Sequence, residues 1–205
     1  MRFAPTDSGY VTVICGPMYC GKSTELIRLV VRAEIAGKKA IVFKPALDTR
    51  AEGVSDRQRE QRAAYTVTNS GEIETLVGDH DVVAIDEAQF FDSELPSVVD
   101  RLAEAGKWII IAGLDLDFRR QPFGPMPHLM AQAEFVEKLQ AVCQVCGGPA
   151  FFTQRLIAGH PAPASVETIL IGDSEDYEAR CRACYEDGSR IQVSSVGRVG
   201  PKVVP

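Results

Sequence analysis

Short apolar runs alternate along the chain with longer segments in which apolar residues recur at helical spacing. The short runs predict β-strands at residues 10–15, 40–43, 65–67, 81–85 and 108–113. The longer segments predict helices at residues 23–36, 72–77, 95–105 and 126–134. Strands that alternate with helices in this way predict a doubly wound or RecA-like parallel α/β sheet, with ligands at the carboxyl ends of its strands.

Three segments do not fit the alternation. Residues 48–62 are polar and carry several arginines, so they cannot bury a face of their own and are interpreted as a mobile loop. A cysteine-rich appendage begins near residue 142, and the last ten residues have no periodicity. The pattern therefore predicts an α/β domain at 1–141, a cysteine-rich domain at 142–195 and a disordered tail at 196–205.

The composition is that of an ordinary globular protein, with 205 residues, 45% hydrophobic and 24% charged. The net charge is −6 and there is no basic stripe, which argues against a polyanionic partner such as duplex nucleic acid. No apolar stretch has the length of a signal peptide or of the roughly 20 residues needed to span a membrane. We expect a soluble, cytoplasmic protein with no membrane partner.

A phosphate-binding loop lies between the first strand and the first helix. It consists of Gly16, Pro17, Met18, Tyr19, Cys20, Gly21, Lys22 and Ser23. In such loops backbone N–H groups surround the phosphates, the lysine reaches the β- and γ-phosphate oxygens, and the serine ligates Mg²⁺. A glycine turn with a surface lysine is the alternative, but strand, loop and helix together favour a site for a nucleoside triphosphate.

An acidic pair, Asp86 and Glu87, ends the strand at 81–85. One carboxylate of such a pair can serve Mg²⁺, directly or through water, while the other takes a proton from an attacking hydroxyl group or water molecule. Phosphoryl transfer also benefits from a cation on the transferred group. Arg50, Arg119 and Arg120 are the candidates, and each is equally well interpreted as a solvated surface charge.

Two Cys-x-x-Cys pairs, Cys143 with Cys146 and Cys181 with Cys184, predict a zinc ribbon. A thioredoxin-like redox pair is the alternative, but it needs one pair placed between a strand and a helix. Four protein ligands leave no open position for a substrate, so we expect a structural Zn²⁺. Its expected task is to hold the base of a long loop whose tip closes over a substrate.

Taken together, these motifs resemble the type II, zinc-containing thymidine kinases, over about residues 10–184. The resemblance is carried by the phosphate loop, the two cysteine pairs with Tyr177 between them, and the segments at 48–50, 86–91, 113–118 and 121–124. The family usually has glycine where Ala88 stands. The resemblance implies transfer of the γ-phosphoryl group of ATP to the 5′-hydroxyl of thymidine for deoxynucleoside salvage, a homotetramer, and feedback inhibition by thymidine triphosphate.

The resemblance also implies roles for individual residues. Glu87 would be the base, assisted by Lys22 and Arg50, and Asp86 and Gln89 would join the phosphate loop in binding the nucleotide. A loop termed the lasso would bind thymine through its main chain, and Tyr177 would hold the sugar; the lasso residues are Thr168, Ile169, Leu170, Ile171 and Gly172. An apolar slot for the base is expected, which should tolerate deoxyuridine to some degree, from Met18, Phe90, Leu114 and Phe118, with Thr153 beside the methyl group.

Two other classes of function are compatible with a phosphate loop. The first is an ATPase that couples hydrolysis to movement on nucleic acid or on a partner, with the zinc ribbon as its binding module. The net charge and the lack of a second motor domain argue against this class. The second is a scaffold without chemistry, but Lys22, Ser23, Asp86 and Glu87 are all present.

Overall fold

The computed structural model describes residues 8–47, 54–55, 61–168 and 177–188. The helices are α1 (Lys22–Ile35), α2 (Gly71–Leu76), α3 (Leu95–Glu104) and α4 (Met126–Gln132), and a 3₁₀ turn covers Ala88–Phe90. The strands are β1 (Tyr10–Cys15), β2 (Ala40–Pro45), β3 (Val54–Ser55), β4 (Gln61–Arg62), β5 (Tyr65–Val67), β6 (Val82–Ile85), β7 (Trp108–Gly113), β8 (Phe135–Lys138), β9 (Ala141–Val142), β10 (Pro149–Ala150), β11 (Phe152–Ile157), β12 (His160–Pro161) and β13 (Tyr177–Arg180).

The larger part of the molecule is built on a parallel sheet with the strand order β5-β2-β6-β7-β1-β8. The predicted RecA-like α/β sheet is therefore confirmed. β7 separates β1, which leads into the phosphate loop, from β6, which ends at the acidic pair. Because these strands are parallel, their carboxyl ends lie at the same edge of the sheet, where the two motifs can meet.

The sheet is buried on both faces, which explains why its central strands are continuously apolar. Helix α1 covers one face with side chains spaced three or four residues apart, and these pack on residues such as Ile14 and Ile110. Helices α2, α3 and α4 cover the other face, where Val11 and Val13 belong to the core. The alternation of Val13 and Ile14 between the two cores follows from the two-residue period of a strand.

Helix α1 ends at Ile35, and a glycine with positive φ follows two residues later. Gly37 has φ 78°, and its N–H donates to the carbonyl of Glu34 at 2.8 Å, while the N–H of Lys38 donates to the carbonyl of Ala33 at 3.0 Å. This pair of bonds is a Schellman motif, which satisfies carbonyl groups at the end of the helix. It turns the chain directly into β2.

The structure corrects the sequence prediction at β8 and at the loop before β5. The helix predicted at 126–134 ends at Gln132, and Phe135–Lys138 forms an edge strand whose side chains are all exposed. Because none of those side chains is buried, the strand lacks the continuous apolar run that identifies a buried strand in the sequence. Within the polar segment 48–62, β3 pairs antiparallel with β4. The rest of that segment and the tail at 196–205 lie outside the described residues.

A second, smaller unit follows the parallel sheet. The chain leaves β8 at Lys138 and enters β9 at Ala141, where β9 pairs with β10 and β11 pairs with both β12 and β13. The core cluster beside the cysteines consists of small residues, Ala141, Cys143, Ala150 and Ala179. So little apolar volume is a weak source of stability, and small units of this kind are commonly held by a metal.

Among the described helices, none combines the length and the apolar character needed to cross a membrane.

We expect Ile110→Ala to lower the free energy of unfolding by about 2–5 kcal/mol, because the side chain is fully buried between the central strands and α1. Urea denaturation followed by circular dichroism measures the change. The matched control is Ile35→Ala at the end of α1, where the side chain is 82% exposed and the expected change is within about 0.5 kcal/mol. Equal losses from both variants would contradict this description of the core.

Candidate active site

The loop between β1 and α1 has the backbone conformation of a phosphate-binding loop. Gly16, Tyr19 and Gly21 have φ values of 140°, 67° and 90°. A Cβ atom at Gly16 would lie 2.5 Å from the carbonyl oxygen of Leu139, so only glycine fits there. Because these three residues have positive φ values, the loop can turn its N–H groups towards one point, next to the N-terminus of the 14-residue helix α1.

Lys22 and Ser23 begin helix α1 and connect the loop to the acidic pair. The ammonium group of Lys22 donates to the carbonyl of Pro17 at 2.8 Å and lies 3.9 Å from the sulfur of Cys20, so the side chain folds back over the loop. The side chain of Ser23 lies beside the carboxylate of Asp86 and lowers its pKa. The structure thus brings the phosphate loop and the end of β6 into one site.

Asp86 is a buried carboxylate, with 6% of its surface exposed. Burial raises its pKa to about 7, and the charge of Glu87 adds to this effect. The nearby side chain of Ser23, the hydrogen bond from the N–H of Glu87 and the charge of Lys22 lower the pKa and offset part of the rise. A buried carboxylate beside a serine hydroxyl is an oxygen donor set that suits Mg²⁺.

Glu87 is held in an unusual conformation by a buried neighbour. Its φ is 51°, in the left-handed region that few non-glycine residues occupy. The amide nitrogen of Gln89 donates to the carboxylate of Glu87 at 2.5 Å, and the amide oxygen of Gln89 accepts from the N–H of Leu114 at 2.9 Å. The family resemblance assigns Gln89 to nucleotide binding. Its side chain is only 2% exposed, and its two bonds connect Glu87 with Leu114.

The alanine at position 88 fits this turn without strain. Ala88 is fully buried in the core beneath the sheet, and the positive φ falls on Glu87 and not on Ala88. A glycine is therefore not required at this position.

Of the residues of the predicted base slot, Met18 and Thr153 contact each other. The N–H of Met18 donates to the hydroxyl of Thr153 at 3.0 Å. Phe90 packs edge-to-face on Phe123, a ring that the sequence analysis did not select, with centroids 5.6 Å apart. Phe118 is 5% exposed.

Tyr177 lies opposite Arg155 in the β11–β13 pair and is 8% exposed. Thr168 is half-buried at the end of a described segment. The other lasso residues, Ile169, Leu170, Ile171 and Gly172, lie outside the described residues, as does Arg50.

Two arginines hold the chain just before the predicted lasso. Arg119 donates to the carbonyl of Val166, and Arg155 donates to the carbonyl of Glu167 at 2.6 Å. Both guanidinium groups lie over the ring of Phe118, with Cζ 4.9 and 5.5 Å from its centroid. Arg155 belongs to no motif, so sequence reasoning missed it.

The remaining candidate arginine also packs within the smaller unit. The guanidinium of Arg120 lies 4.7 Å from the ring centroid of Tyr185 and 5.3 Å from that of Phe152. The hydroxyl of Tyr185 donates to the carbonyl of Phe118 at 2.6 Å. Arg119 and Arg120, both proposed from the sequence as phosphate ligands, therefore each have a side-chain contact with the smaller unit.

The four cysteines of the two pairs form a cluster, and all their sulfur atoms lie within 4.8 Å of one another. The sulfur atoms of Cys146 and Cys181 are 3.7 Å apart. Four thiolates around Zn²⁺ at about 2.3 Å have sulfur atoms about 3.8 Å apart, so the cluster fits the ion. Desolvation opposes ionisation of Cys143, but hydrogen bonds from backbone N–H groups outweigh it and lower the thiol pKa to about 6.

A scan against protein-family models matches residues 9–185 to the family described as thymidine kinase. Two solved structures align with parts of the chain. The genome packaging NTPase B204 of Sulfolobus turreted icosahedral virus 2, in complex with ATP-gammaS, is 16% identical over 62% of this chain and 73% of that chain, with a TM-score of 0.42. The Legionella pneumophila ATPase DotB is 18% identical over 63% of this chain and 35% of that chain, with a TM-score of 0.40. The fold assignment rests on the sheet topology described above.

Proposed function

This chain belongs to the thymidine kinase family, and we propose that it transfers the γ-phosphoryl group of ATP to the 5′-hydroxyl of thymidine, forming thymidine monophosphate for deoxynucleoside salvage. The observation that carries the proposal is that Lys22 and Ser23 of the phosphate loop lie close enough to Asp86, at the end of β6, to lower the pKa of its carboxyl group. It supports a single cleft in which a triphosphate bound by the loop lies beside the acidic pair.

The phosphate loop binds and orients the nucleotide in this proposal. Its N–H groups and the N-terminus of α1 neutralise the phosphates, and Lys22 moves from the carbonyl of Pro17 to the β- and γ-phosphate oxygens. Arg50 adds positive charge at the transferred group. Because phosphoryl transfer depends mainly on alignment and on stabilising charge, these groups supply most of what the reaction needs.

Asp86 and Ser23 would hold Mg²⁺, which would neutralise negative charge on the triphosphate. Their oxygen atoms and the burial of the carboxylate fit the ion. The charge of a cation at this position favours the ionised form of Asp86, against the burial that raises its pKa.

Glu87 is the proposed general base. Its carboxylate accepts the proton of the 5′-hydroxyl as the oxygen attacks the γ-phosphorus. Gln89 orients that carboxylate and at the same time fixes the backbone of Leu114, one of the residues assigned to the base slot. The proposed base and one residue of the base slot are thus linked through one buried side chain.

The base slot of Met18, Phe90, Leu114, Phe118 and Thr153 would select a pyrimidine by size. The lasso from Thr168 to Gly172 would close on it, and Tyr177 would contact the sugar. The bonds from Arg119 and Arg155 to the carbonyls of Val166 and Glu167 support a fixed starting point for that loop.

The family resemblance supports several wider proposals. These are a homotetramer, feedback inhibition by thymidine triphosphate, a structural Zn²⁺ at the four cysteines, and a cytoplasmic location. Equilibrium sedimentation, inhibition assays and metal analysis test the first three separately.

Incubation of the protein with ATP, Mg²⁺ and thymidine tests the function, and we expect thymidine monophosphate and ADP in equal amounts. Deoxyuridine is expected to react about 10–200-fold less efficiently, because a single methyl group in an apolar slot contributes no more than that to selection. A rate of ATP hydrolysis that does not change with thymidine but rises with added DNA would favour the nucleic-acid ATPase instead.

Replacing Gln89 with methionine is expected to lower kcat by about 10–100-fold, because the carboxylate of Glu87 loses a charge-assisted hydrogen bond. KM for ATP should stay within about twofold, since the described hydrogen bonds of the Gln89 side chain are to Glu87 and Leu114 and not to the phosphate loop. Steady-state kinetics with both substrates varied measures this. Gln132→Met on α4 removes an amide that binds the carbonyl of Pro96 and serves as the matched control. An unchanged kcat for Gln89→Met would remove the positioning role.

A further inference from the structure

Three consecutive residues of the phosphate loop contact the four-cysteine unit. The N–H of Met18 donates to the hydroxyl of Thr153 in β11 at 3.0 Å. The next two residues, Tyr19 and Cys20, pack against the small core formed around Cys143. The middle of the loop therefore contacts the smaller unit, in addition to the covalent connections of its two ends to β1 and α1.

The start of the same loop is fixed by the chain segment that leads into the cysteine unit. The N–H of Leu139 donates to the carbonyl of Cys15 at 2.8 Å. The carbonyl oxygen of Leu139 lies so close to Gly16 that a Cβ atom there would approach it to 2.5 Å. Leu139 is followed by β9, which belongs to the unit that the cysteines hold together.

Thr153 carries the most specific of these contacts. Its side chain is 4% exposed, and its hydroxyl is fixed by the N–H of Met18, 135 residues earlier in the chain. A phosphate loop works by presenting N–H groups in a fixed arrangement, so a bond that orients one peptide of the loop also orients its neighbours. A contact with the thymine methyl group alone would need only the methyl group of Thr153, not this bond.

We propose that the four-cysteine unit braces the phosphate loop and that Thr153 is the positioning residue which transmits this support, so that metal binding and triphosphate binding stabilise each other. The proposal rests on the proposed function, because it takes the loop to be the ATP site. It assigns the cysteine unit a role on the nucleotide side of the cleft, in addition to its support of the lasso. Coupling of two ligands through one protein is reciprocal, so it is measurable from either site.

The nucleotide side is tested with Thr153→Val, which keeps the shape and the methyl group of threonine but replaces the hydroxyl that accepts from Met18 with a second methyl group. We expect its Kd for the magnesium complex of a non-hydrolysable ATP analogue, measured by titration calorimetry on the zinc-loaded protein, to rise about tenfold, or roughly 1.4 kcal/mol. Thr153→Ser should restore the affinity, and Thr75→Val on the exposed face of α2 is the matched control. KM for thymidine should change less than about twofold.

The metal side is tested on the unmodified protein and needs no variant to fold. The rate of zinc release to 4-(2-pyridylazo)resorcinol is measured with and without the magnesium–nucleotide complex. We expect the nucleotide to slow release about fivefold or more. Lys22→Ala, which should not bind the nucleotide, controls for any effect of the nucleotide on the chelator.

The outcomes separate this inference from the proposed function. The inference is overturned if Thr153→Val binds the nucleotide normally and the nucleotide does not change the rate of zinc release. The kinase proposal would still stand. A rise in KM for thymidine with unchanged nucleotide affinity would make Thr153 a base contact only, and would also overturn the inference. If the unmodified protein fails to bind the nucleotide, both proposals fail together.

Discussion

Glu87→Gln is expected to lower turnover by about 10²–10⁴-fold, the largest loss that we expect from a single side chain. Glutamine has nearly the same shape as glutamate but cannot accept the proton of the 5′-hydroxyl. The partner Gln89 can still bond the new side chain through its amide, so the turn at Ala88–Phe90 should be retained. The rate is measured as thymidine monophosphate formed at saturating ATP and thymidine.

Binding measurements decide how such a loss is interpreted. Calorimetry should give Kd values for the nucleotide analogue and for thymidine that are close to those of the unmodified protein. Glu94→Gln, an exposed acid just before α3, is the control and should keep full turnover. Turnover in Glu87→Gln within about twofold of the unmodified protein would show that another group takes the proton.

Loss of the metal is the second change with a large expected effect, and Cys143→Ser produces it. A serine hydroxyl does not ionise at neutral pH, so the site loses one of four thiolates. Structural Zn²⁺ contributes about 10–16 kcal/mol to folding in small metal domains, whereas the core cluster beside the cysteines consists of three alanines and Cys143 itself. We therefore expect local unfolding of the unit built from β9 to β13, with the parallel sheet intact.

Three readouts check this expectation. Metal analysis should find one zinc per chain in the unmodified protein and none in Cys143→Ser. Hydrogen exchange should accelerate in β11 and β13 but not in β7. Cys20→Ser removes a thiol that lies outside the cluster and should retain its zinc. A native protein without zinc, or slow exchange throughout Cys143→Ser, would remove the structural role from the metal.

The sheet and the phosphate loop were predictable from the sequence because their signals are local. A strand buried on both faces is apolar throughout, as in Trp108–Gly113. The residues of a phosphate loop are consecutive in the sequence, so the motif can be recognised directly. Strand β8 gave no such signal, since its four side chains are exposed at the edge of the sheet. Its position follows from pairing with β1, and such pairing is not visible in the sequence of the strand itself.

The parts of the site that sequence reasoning missed involve partners far apart in the chain. The bond between Met18 and Thr153 joins residues 135 positions apart, and that between Arg119 and Val166 joins residues 47 positions apart. The burial of Gln89 between Glu87 and Leu114 likewise depends on β6 and β7 lying side by side. In each case the residue type permits many roles, and the tertiary fold selects one of them.

The most direct test of the central claim is to follow the γ-phosphorus of ATP from one molecule to the next. ATP labelled at the γ-phosphate with ³²P is incubated with Mg²⁺, the protein and either thymidine or 5′-deoxythymidine, and the products are separated by chromatography. We predict that the label moves to thymidine monophosphate with thymidine and stays in ATP with 5′-deoxythymidine. Release of the label as inorganic phosphate at the same rate with either nucleoside would contradict the account.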